Sequence, residues 1–277
     1  MIKKIIKNIL NVSFIKNFYI RIIWSQNGKN FEIIYNFISK VFFNSKNSIK
    51  YSEGLFLVKE KEVSDWFFSI PARGLFYLKG LKERSKKLHK QYLINEINFK
   101  DGEVVIDCGA NAGDFYLNFT NRIQYIAVEP SDEYYKILTK NIKNQTLIKK
   151  CLYKFESDNL KFYLDDKNAD SSLIPIKNYS KIITVKAITL DGLIDKIEKN
   201  IKLIKLEAEG AEIEILEGLK KNLSKVEYIT IDCSFERGVE QQSTFVECNN
   251  YLMKNNFELI NFDIKNRIIM LYKNINN

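Results

Sequence analysis

Residues 104–115 read VVIDCGANAGDF, and this stretch decides the fold. An apolar run ends in Asp107, passes through a turn that contains Gly109 and Gly113, and enters a pattern typical of a helix. A second apolar run, IAV at residues 126–128, ends in another acid, Glu129. The carboxyl ends of neighbouring parallel strands meet at one sheet edge, where open α/β folds bind nucleotide-type ligands. The stretch therefore predicts half of such a site; the alternative is a plain βαβ unit whose glycines only allow strand and helix to approach closely.

The glycine spacing indicates which ligand this turn suits. A dinucleotide site has the pattern G-x-G-x-x-G, in which backbone amides meet a pyrophosphate. Here the spacing is G-x-x-x-G, and the carboxylate of Asp107 stands two residues before Gly109. A carboxylate there repels a pyrophosphate but suits a cationic ligand without phosphate, such as S-adenosylmethionine. Glu129 is then expected to accept hydrogen bonds from both ribose hydroxyls, one on each carboxylate oxygen.

The composition predicts a globular protein of the cytoplasm. The chain has 277 residues, of which 45% are hydrophobic. Its four cysteines and single histidine show no zinc-type spacing, so we expect buried, reduced thiols and no metal site. An uninterrupted apolar run of about 18 residues is absent, and polar residues break up the N-terminus; neither a transmembrane helix nor a signal peptide is expected.

The positive charge is concentrated at the N-terminus. The formal net charge is +9, and residues 1–31 contribute +6 of it because they contain no acid. Isoleucines and a leucine recur there at helical spacing. One interpretation is a basic amphipathic helix in peripheral contact with an anionic membrane. The other, which we favoured, is a helix packed on the catalytic domain with solvated lysines.

The pattern along the chain predicts two regions. Residues 1–65 are expected to form a helical and extended region of unknown role, and residues 66–277 the catalytic domain. Short strands are expected near 54–58 and 66–71, and a helix with a basic face over 79–97. From Asp101 onward, strands alternate with helices, which predicts an open doubly wound, mostly parallel sheet. The predicted strands are 104–108, 125–129, 147–152, 182–188, 201–206, 227–233, 257–262 and 267–273, with Pro130 opening one helix and a second helix over 211–223.

A second group of acids follows the predicted strand 201–206. The sequence there is LEAEGAE at residues 206–212, so Glu207 and Glu209 stand at the expected carboxyl edge of the sheet. Methyl transfer to a hydroxyl requires removal of a proton. The single histidine, His89, lies among lysines far from either motif. We therefore expect Glu207 or Glu209 to act as the base or to orient the acceptor, with Glu236 as a further candidate.

Glu236 and Arg237 follow the apolar strand 228–233 and are expected to line the acceptor side of the same crevice. An arginine at this place can hold an acceptor carboxylate or phosphate with two hydrogen bonds. The alternative is an internal pair between the two side chains that orders the loop.

Four segments resemble, in order, the FkbM-type S-adenosylmethionine-dependent methyltransferases: VIDCGANAG at 105–113, VEP at 128–130, TLD at 189–191 and IKLEAEGAE at 204–212. The resemblance covers about residues 70–262 and implies a class I methyltransferase fold, with seven strands of which one is antiparallel. It implies that the cofactor is held by Asp107, Gly109, Asn111, Gly113 and Glu129. The family is associated with O-methylation of sugars and natural products, often in polysaccharide pathways. Glu207 departs from it, because many members carry Asp there.

The sequence thus predicts a methyltransferase that acts on a hydroxyl of a sugar, a glycan or a related natural product. Nucleic acid is not expected as the acceptor, because the chain lacks both the Pro-Pro-aromatic turn of amino-directed enzymes and a Pro-Cys nucleophile. A cofactor-fold module that binds without catalysis, in polysaccharide assembly, is one alternative. An NAD-dependent oxidoreductase is another, and the glycine spacing disfavours it.

Overall fold

The computed structural model of the protein describes residues 21–22, 25–61, 63–119, 122–165 and 171–276. The chain divides into two compact units, Met1–Lys86 and Lys87–Asn277. The functional boundary expected between residues 65 and 66 stays a prediction, because compactness alone does not assign a function. Residues 1–20, which carry most of the basic N-terminal segment, lie outside the described residues.

The first unit contains a helix and a small antiparallel sheet. Its elements are α1 (Gly28–Phe42), β1 (Ser48–Ser52), β2 (Leu55–Lys59), β3 (Trp66–Phe68), α2 (Pro71–Gly74) and a 3-10 turn at Leu75–Tyr77, after which α3 (Leu81–Gln91) begins. The strand order is β1-β2-β3. Asn36 of α1 acts as a further partner for β1: its amide nitrogen donates to the Ile49 carbonyl at 2.9 Å, and its oxygen accepts from the Ile49 amide at 2.8 Å. The two strands expected near 54–58 and 66–71 are confirmed as β2 and β3.

The second unit holds the main sheet. Its strands and helices are β4 (Val104–Cys108), β5 (Gln124–Val128), α4 (Asp132–Asn141), β6 (Thr146–Ile148), β7 (Cys151–Leu152), β8 (Ser157–Leu164), β9 (Lys181–Ile188), α5 (Leu190–Ile194), β10 (Ile201–Leu206), α6 (Glu212–Leu216), β11 (Val226–Asp232), β12 (Phe235–Arg237), β13 (Gln242–Ser243), α7 (Phe245–Lys254), β14 (Phe257–Asp263) and β15 (Ile269–Asn274). 3-10 turns lie at Ile94–Glu96, Asp114–Asn118 and Leu223–Lys225.

The main sheet has seven strands in the order β14-β15-β11-β10-β4-β5-β6. β15 is antiparallel to both of its neighbours, and the other neighbouring pairs are parallel. The predicted mostly parallel sheet of seven strands is therefore confirmed. Because β11, β10, β4 and β5 are adjacent and run in one direction, the residues that follow them meet at one edge. The core lies on these strands, where residues such as Ile106, Ile204 and Ile229 are completely buried.

One predicted strand was wrong. The run 147–152 divides into β6, at the edge of the main sheet, and β7, which joins β9 and β8 in a separate sheet of three strands. The lysines at 149 and 150 separate the two pieces, and Lys149 is exposed. The predicted strand 182–188 is confirmed as β9, but it belongs to this smaller sheet.

Three helices differ from the prediction at their ends. Pro130 precedes the helix it was expected to open: α4 begins at Asp132 with Ser131 as its N-cap, and the Ser131 amide donates to the Glu129 carboxylate at 2.9 Å. The basic helix α3 ends at Gln91, and Leu93 then takes a left-handed φ of 57°. The residues after Gly113 form only a 3-10 turn.

A fourth difference is the helix expected over 211–223, which is limited to the five residues of α6. Its continuation is prevented by Asp191, whose carboxylate accepts hydrogen bonds from the amides of Lys220, Lys221 and Asn222 at 2.9, 3.0 and 2.9 Å. These amides would otherwise donate to helical carbonyls. Asp191 therefore joins α5 to the turn that leads into β11.

No helix among the described residues is long and apolar enough to cross a membrane.

Replacing Asp191 with Ala should destabilise the second unit. Three backbone amides lose a charged acceptor, and we expect the free energy of unfolding in urea to fall by about 2–4 kcal/mol. Asp158→Ala is the matched control, because Asp158 and its partner Lys186 are both exposed and exposed pairs contribute little. Equal losses in the two variants would contradict the role given to Asp191.

Candidate active site

The loop after β4 is held against the loop after β10 by a close backbone approach. Gly109 has a φ of +71°, and a Cβ atom built there would lie 1.9 Å from the carbonyl oxygen of Glu207. Gly113 has a φ of +88°, and its Cβ would lie 2.8–2.9 Å from the side chains of Ile142 and Leu138. Both glycines are therefore required by packing. Their expected contact with a cofactor stays a prediction.

Glu129 lies where β5 ends, in the position expected for a ribose ligand. It is 5% exposed, and its two oxygens accept from the amides of Asn111 at 2.8 Å and Ser131 at 2.9 Å. Asn111 has the left-handed φ of 50° that turns its amide toward this carboxylate. Burial raises the pKa of Glu129 to about 7, although both amide hydrogen bonds oppose the shift.

The Glu129 carboxylate still has capacity for a ligand. Each carboxylate oxygen carries two lone pairs and uses one of them on an amide. One acceptor position per oxygen remains, which matches the two adjacent hydroxyls of a ribose. These free acceptor positions at the edge of the sheet therefore fit the ribose of S-adenosylmethionine.

Asp107 is completely buried at the end of β4. Its Oδ1 atom lies 3.0 Å from Nζ of Lys205, and its Oδ2 atom accepts a hydrogen bond from the Tyr125 hydroxyl. Burial raises the pKa of Asp107, and Lys205 opposes that rise. Lys205 stands directly opposite Asp107 in the parallel pairing of β10 with β4. The expected contact between Asp107 and the cofactor stays a prediction; the contacts seen are with Lys205 and Tyr125.

Lys205 connects three parts of the site. Besides Asp107, its ammonium group lies 3.0 Å from Oε2 of Glu207 and donates to the carbonyls of Gly109 at 3.0 Å and Cys108 at 3.3 Å. Burial lowers the pKa of Lys205, but Asp107 and Glu207 outweigh it and hold the pKa well above its usual value. Lys205 is therefore a buried cation that fixes both loops at the sheet edge.

Both oxygens of the Glu207 carboxylate lie close to donors. Its Oε2 atom accepts from the Tyr92 hydroxyl at 2.5 Å, and its Oε1 atom lies 3.3 Å from the Arg267 guanidinium. Burial raises the pKa of Glu207, but Lys205, Arg267 and Tyr92 together lower it to about 2. Such a carboxylate has little affinity for a proton near neutral pH.

Arg267, just before β15, gathers three carboxylates from different loops. It pairs with Asp232 at the end of β11, with Glu236 on β12 and with Glu207. Burial raises the pKa of Glu236 to about 8, and the neighbouring Asp232 and Glu207 add to this, against the attraction of Arg267. Burial also raises the pKa of Asp232. One arginine thus holds carboxylates of very different proton affinity.

The other two predicted residues of the acceptor side lie in different surroundings. The Arg237 guanidinium makes two hydrogen bonds to the Glu214 carboxylate, at 2.9 and 2.6 Å, and donates to the Gly210 carbonyl at 2.5 Å. It pairs with Glu214 and not with Glu236, because successive side chains of β12 alternate between faces. Glu209 is half-buried in the turn before α6, with a φ of 50°, and its carbonyl accepts from the Ser172 hydroxyl at 2.7 Å.

Sequence reasoning missed Lys205 and Arg267, which organise the site. A lysine at the end of the apolar run IKLIKL was a signal for Lys205, since a lysine buried in a central strand requires a paired carboxylate. Arg267 gave no comparable signal, because it stands among ordinary residues before the last strand. Within the described residues, no group of three or more His, Cys, Asp or Glu side chains is arranged to hold a metal ion.

Lys205→Met should strongly destabilise the second unit, because it leaves Asp107 and Glu207 without their shared cation. Removing one partner of a buried pair costs about 3–5 kcal/mol, which urea unfolding at pH 8 would measure. The difference in unfolding free energy between wild type and variant should become smaller toward pH 5, because a protonated Asp107 needs no counterion. The double variant Asp107→Asn/Lys205→Met removes the uncompensated charge and should recover part of the loss. A loss below about 1 kcal/mol in the single variant would contradict the role of this ion pair.

Comparison with known proteins identifies a family and a set of structural neighbours. Residues 107–259, more than half of the chain, match the family described as Methyltransferase FkbM domain. No curated protein matches the chain.

Three solved structures illustrate the likeness. The ribosomal protein L11 methylase of Lactobacillus delbrueckii subsp. bulgaricus is 12% identical, with 69% of this chain and 78% of that chain covered and a TM-score of 0.40. The precorrin-6y C5,15-methyltransferase of Geobacter metallireducens GS-15 is 11% identical, with 68% and 87% covered and a TM-score of 0.41. The magnesium protoporphyrin IX methyltransferase of Synechocystis PCC 6803, with bound SAM, is 9% identical, with 98% and 96% covered and a TM-score of 0.43. At these values the likeness carries no information on the acceptor.

The family match spans the loop after β4, Glu129, and the loops after β10 and β11, which meet at this edge of the sheet. The chain therefore belongs to the FkbM methyltransferase family and is an S-adenosylmethionine-dependent methyltransferase.

Proposed function

We propose that the protein transfers a methyl group to a hydroxyl of a sugar, a glycan or a related natural product, in polysaccharide biosynthesis. The observation that carries the proposal is Glu236, a mostly buried carboxylate with a pKa raised to about 8, at the edge where β10 and β11 end. A hydroxyl must lose its proton as its oxygen is methylated. Glu236 has the proton affinity for that task.

The cofactor side of the crevice is formed by the loop after β4 and by Glu129. When bound, S-adenosylmethionine supplies an electrophilic methyl group on its sulfonium. Glu129 accepts hydrogen bonds from the ribose hydroxyls with its free lone pairs, and the turn 109–113 borders the same place. Asp107 contributes to the cofactor side by positioning Lys205, which donates a hydrogen bond to the Gly109 carbonyl.

The acceptor side is assigned to Glu236, with Glu207 and Arg267 in support. Glu236 takes the hydroxyl proton as the bond from the acceptor oxygen to the methyl carbon forms and the bond from that carbon to sulfur breaks. Glu207 was the first candidate for this base, but with its pKa lowered to about 2 it is better suited to orient Arg267 and, with it, Glu236. Glu209 and Arg237 remain candidates for contacts with more distant parts of the acceptor.

The acceptor side favours a polyhydroxylated acceptor over nucleic acid because it offers hydrogen-bond acceptors. Glu207, Asp232 and Glu236 come together at Arg267, and Lys205 also pairs with Glu207, so the cations here are already engaged by carboxylates. Carboxylate oxygens accept hydrogen bonds from hydroxyls, and cations that are already paired attract phosphate weakly. A polyhydroxylated acceptor is therefore the better partner for this surface.

The four cysteines support a location in the cytoplasm. All four are buried and unpaired. Reduced thiols persist in compartments that keep glutathione reduced.

Glu129→Ala should weaken binding of S-adenosylmethionine, because it removes charged hydrogen bonds to the ribose. Each is expected to contribute about 1.5–3 kcal/mol, and calorimetric titration measures the loss, with NAD titrated in parallel as the dinucleotide control. In the wild type, affinity should rise between pH 6 and 8 as Glu129 ionises, and Glu129→Gln should remove this component of the pH dependence. Unchanged affinity in the Ala variant would contradict the ribose assignment.

Glu236→Gln should lower turnover by about 10²–10⁴-fold, the usual contribution of a general base, without changing affinity for the cofactor. The assay follows S-adenosylhomocysteine formation against a panel of nucleotide sugars and oligosaccharides, with RNA as the competing acceptor. For the wild type, kcat should rise with pH through about 8.

Glu240→Gln, on the same hairpin, is the matched control and should retain activity. If Glu209→Gln abolishes turnover while Glu236→Gln does not, the base is Glu209. Methylation of RNA alone would contradict the proposed acceptor class.

A further inference from the structure

Helix α1 presents an apolar stripe to solvent. Ile33, Phe37 and Val41 are 66, 60 and 51% exposed, and they stand at positions i, i+4 and i+8 of Gly28–Phe42. Residues at this spacing lie one above the other on a helix. The opposite face of α1 is buried through Phe31, Tyr35, Ile38 and Ser39. The exposed apolar side chains are therefore not part of the face with which α1 packs into the first unit.

Cations flank this stripe. Lys29 and Lys40 are exposed and fall on the same side of the helix as Phe37. The whole of Gly28–Phe42 is described, and its single acid, Glu32, is half-buried, paired with Lys29 and bonded to the Tyr51 amide at 2.7 Å. The outer face of α1 thus combines large apolar side chains with lysines and presents no unpaired carboxylate.

The sequence before α1 has the same character. Residues 1–27 contain five basic residues and no acid, together with many isoleucines and phenylalanines. A basic amphipathic surface of this kind is typical of segments that lie in the interface of an anionic bilayer.

We propose that the outer face of α1, formed by Lys29, Ile33, Phe37, Lys40 and Val41, docks on an anionic lipid bilayer. The apolar side chains enter the boundary between head groups and acyl chains. Lys40 meets the lipid phosphates, and Lys29 does so from its pair with Glu32. The inference concerns the first unit alone and does not depend on which acceptor the second unit methylates.

Co-sedimentation of the full chain with vesicles tests the proposal. Vesicles of phosphatidylcholine with a quarter phosphatidylglycerol are compared with vesicles of phosphatidylcholine alone. We expect binding to the anionic vesicles only, and weaker binding from 0.15 to 1 M NaCl, where the screening length falls from about 8 to about 3 Å.

Two variants examine the two parts of the surface. The triple variant Ile33→Ser/Phe37→Ser/Val41→Ser should lower the partition coefficient between vesicles and water by roughly tenfold or more. Full burial of a single side chain of this kind already raises that coefficient about tenfold. Lys29→Ser/Lys40→Ser should lower it by roughly fivefold or more, because one lysine near an anionic leaflet contributes about that factor. Unchanged melting temperature and unchanged cofactor affinity show that each variant is folded.

Val246→Ser/Met253→Ser is the matched control. These side chains are similarly exposed on α7, at positions i and i+7, but Glu247 is exposed beside them. The control should bind vesicles as the wild type does. Absence of wild-type binding, wild-type binding by the α1 triple variant, or an equal loss in the α7 control would each overturn the proposal. A wild-type dimer that the α1 triple variant converts to a monomer would assign the face to a second copy of the chain instead.

Discussion

The site depends on one buried cation, Lys205. Two carboxylates at the ends of adjacent strands, Asp107 and Glu207, cannot both remain ionised in a dry interior without a counterion. Lys205 lies 3.0 Å from each of them and also donates to the Gly109 carbonyl. It therefore holds together the loop after β4 and the loop after β10. A buried pair of this kind contributes little net stability compared with apolar residues, so its value lies in the geometry that it imposes.

The backbone enforces the same arrangement independently. The chain at Gly109 passes so close to the Glu207 carbonyl that any side chain there would collide with it. The Glu207 amide in turn donates to the Cys108 carbonyl at 3.3 Å, which extends the pairing of β10 and β4 past their last residues. The two loops are nearly a hundred residues apart in sequence. They are joined by a backbone hydrogen bond, by the close approach that the absence of a side chain at Gly109 allows, and by Lys205, which contacts both. Displacing one loop therefore requires breaking its contacts with the other.

The sequence was informative where a short segment determines its own structure, and less so where distant segments compete. The strand before Asp107 and the position of Glu129 follow from apolar runs that end in an acid, and both were predictable. The length of α6 was not, because Asp191 captures amides about thirty residues away. Arg267 was not predictable either, since its three partners come together only through the order of β10, β11 and β15. The adjacent Glu236 and Arg237 were expected to act together, yet strand alternation sends them to different partners.

The cluster around Arg267 gives neighbouring carboxylates different proton affinities. Glu207 receives hydrogen bonds or ion pairs from Tyr92, Lys205 and Arg267, which stabilise its charge and hold its pKa near 2. Glu236 shares only Arg267 and faces the charges of Glu207 and Asp232, so that burial and repulsion raise its pKa to about 8. Carboxylates whose environments separate their pKa values in this way can take different roles. Glu207, with its lowered pKa, pairs with the arginine, and the arginine opposes the rise in the pKa of Glu236. Because a base works best with a pKa near the working pH, the network favours Glu236 for proton removal and Glu207 for its orientation.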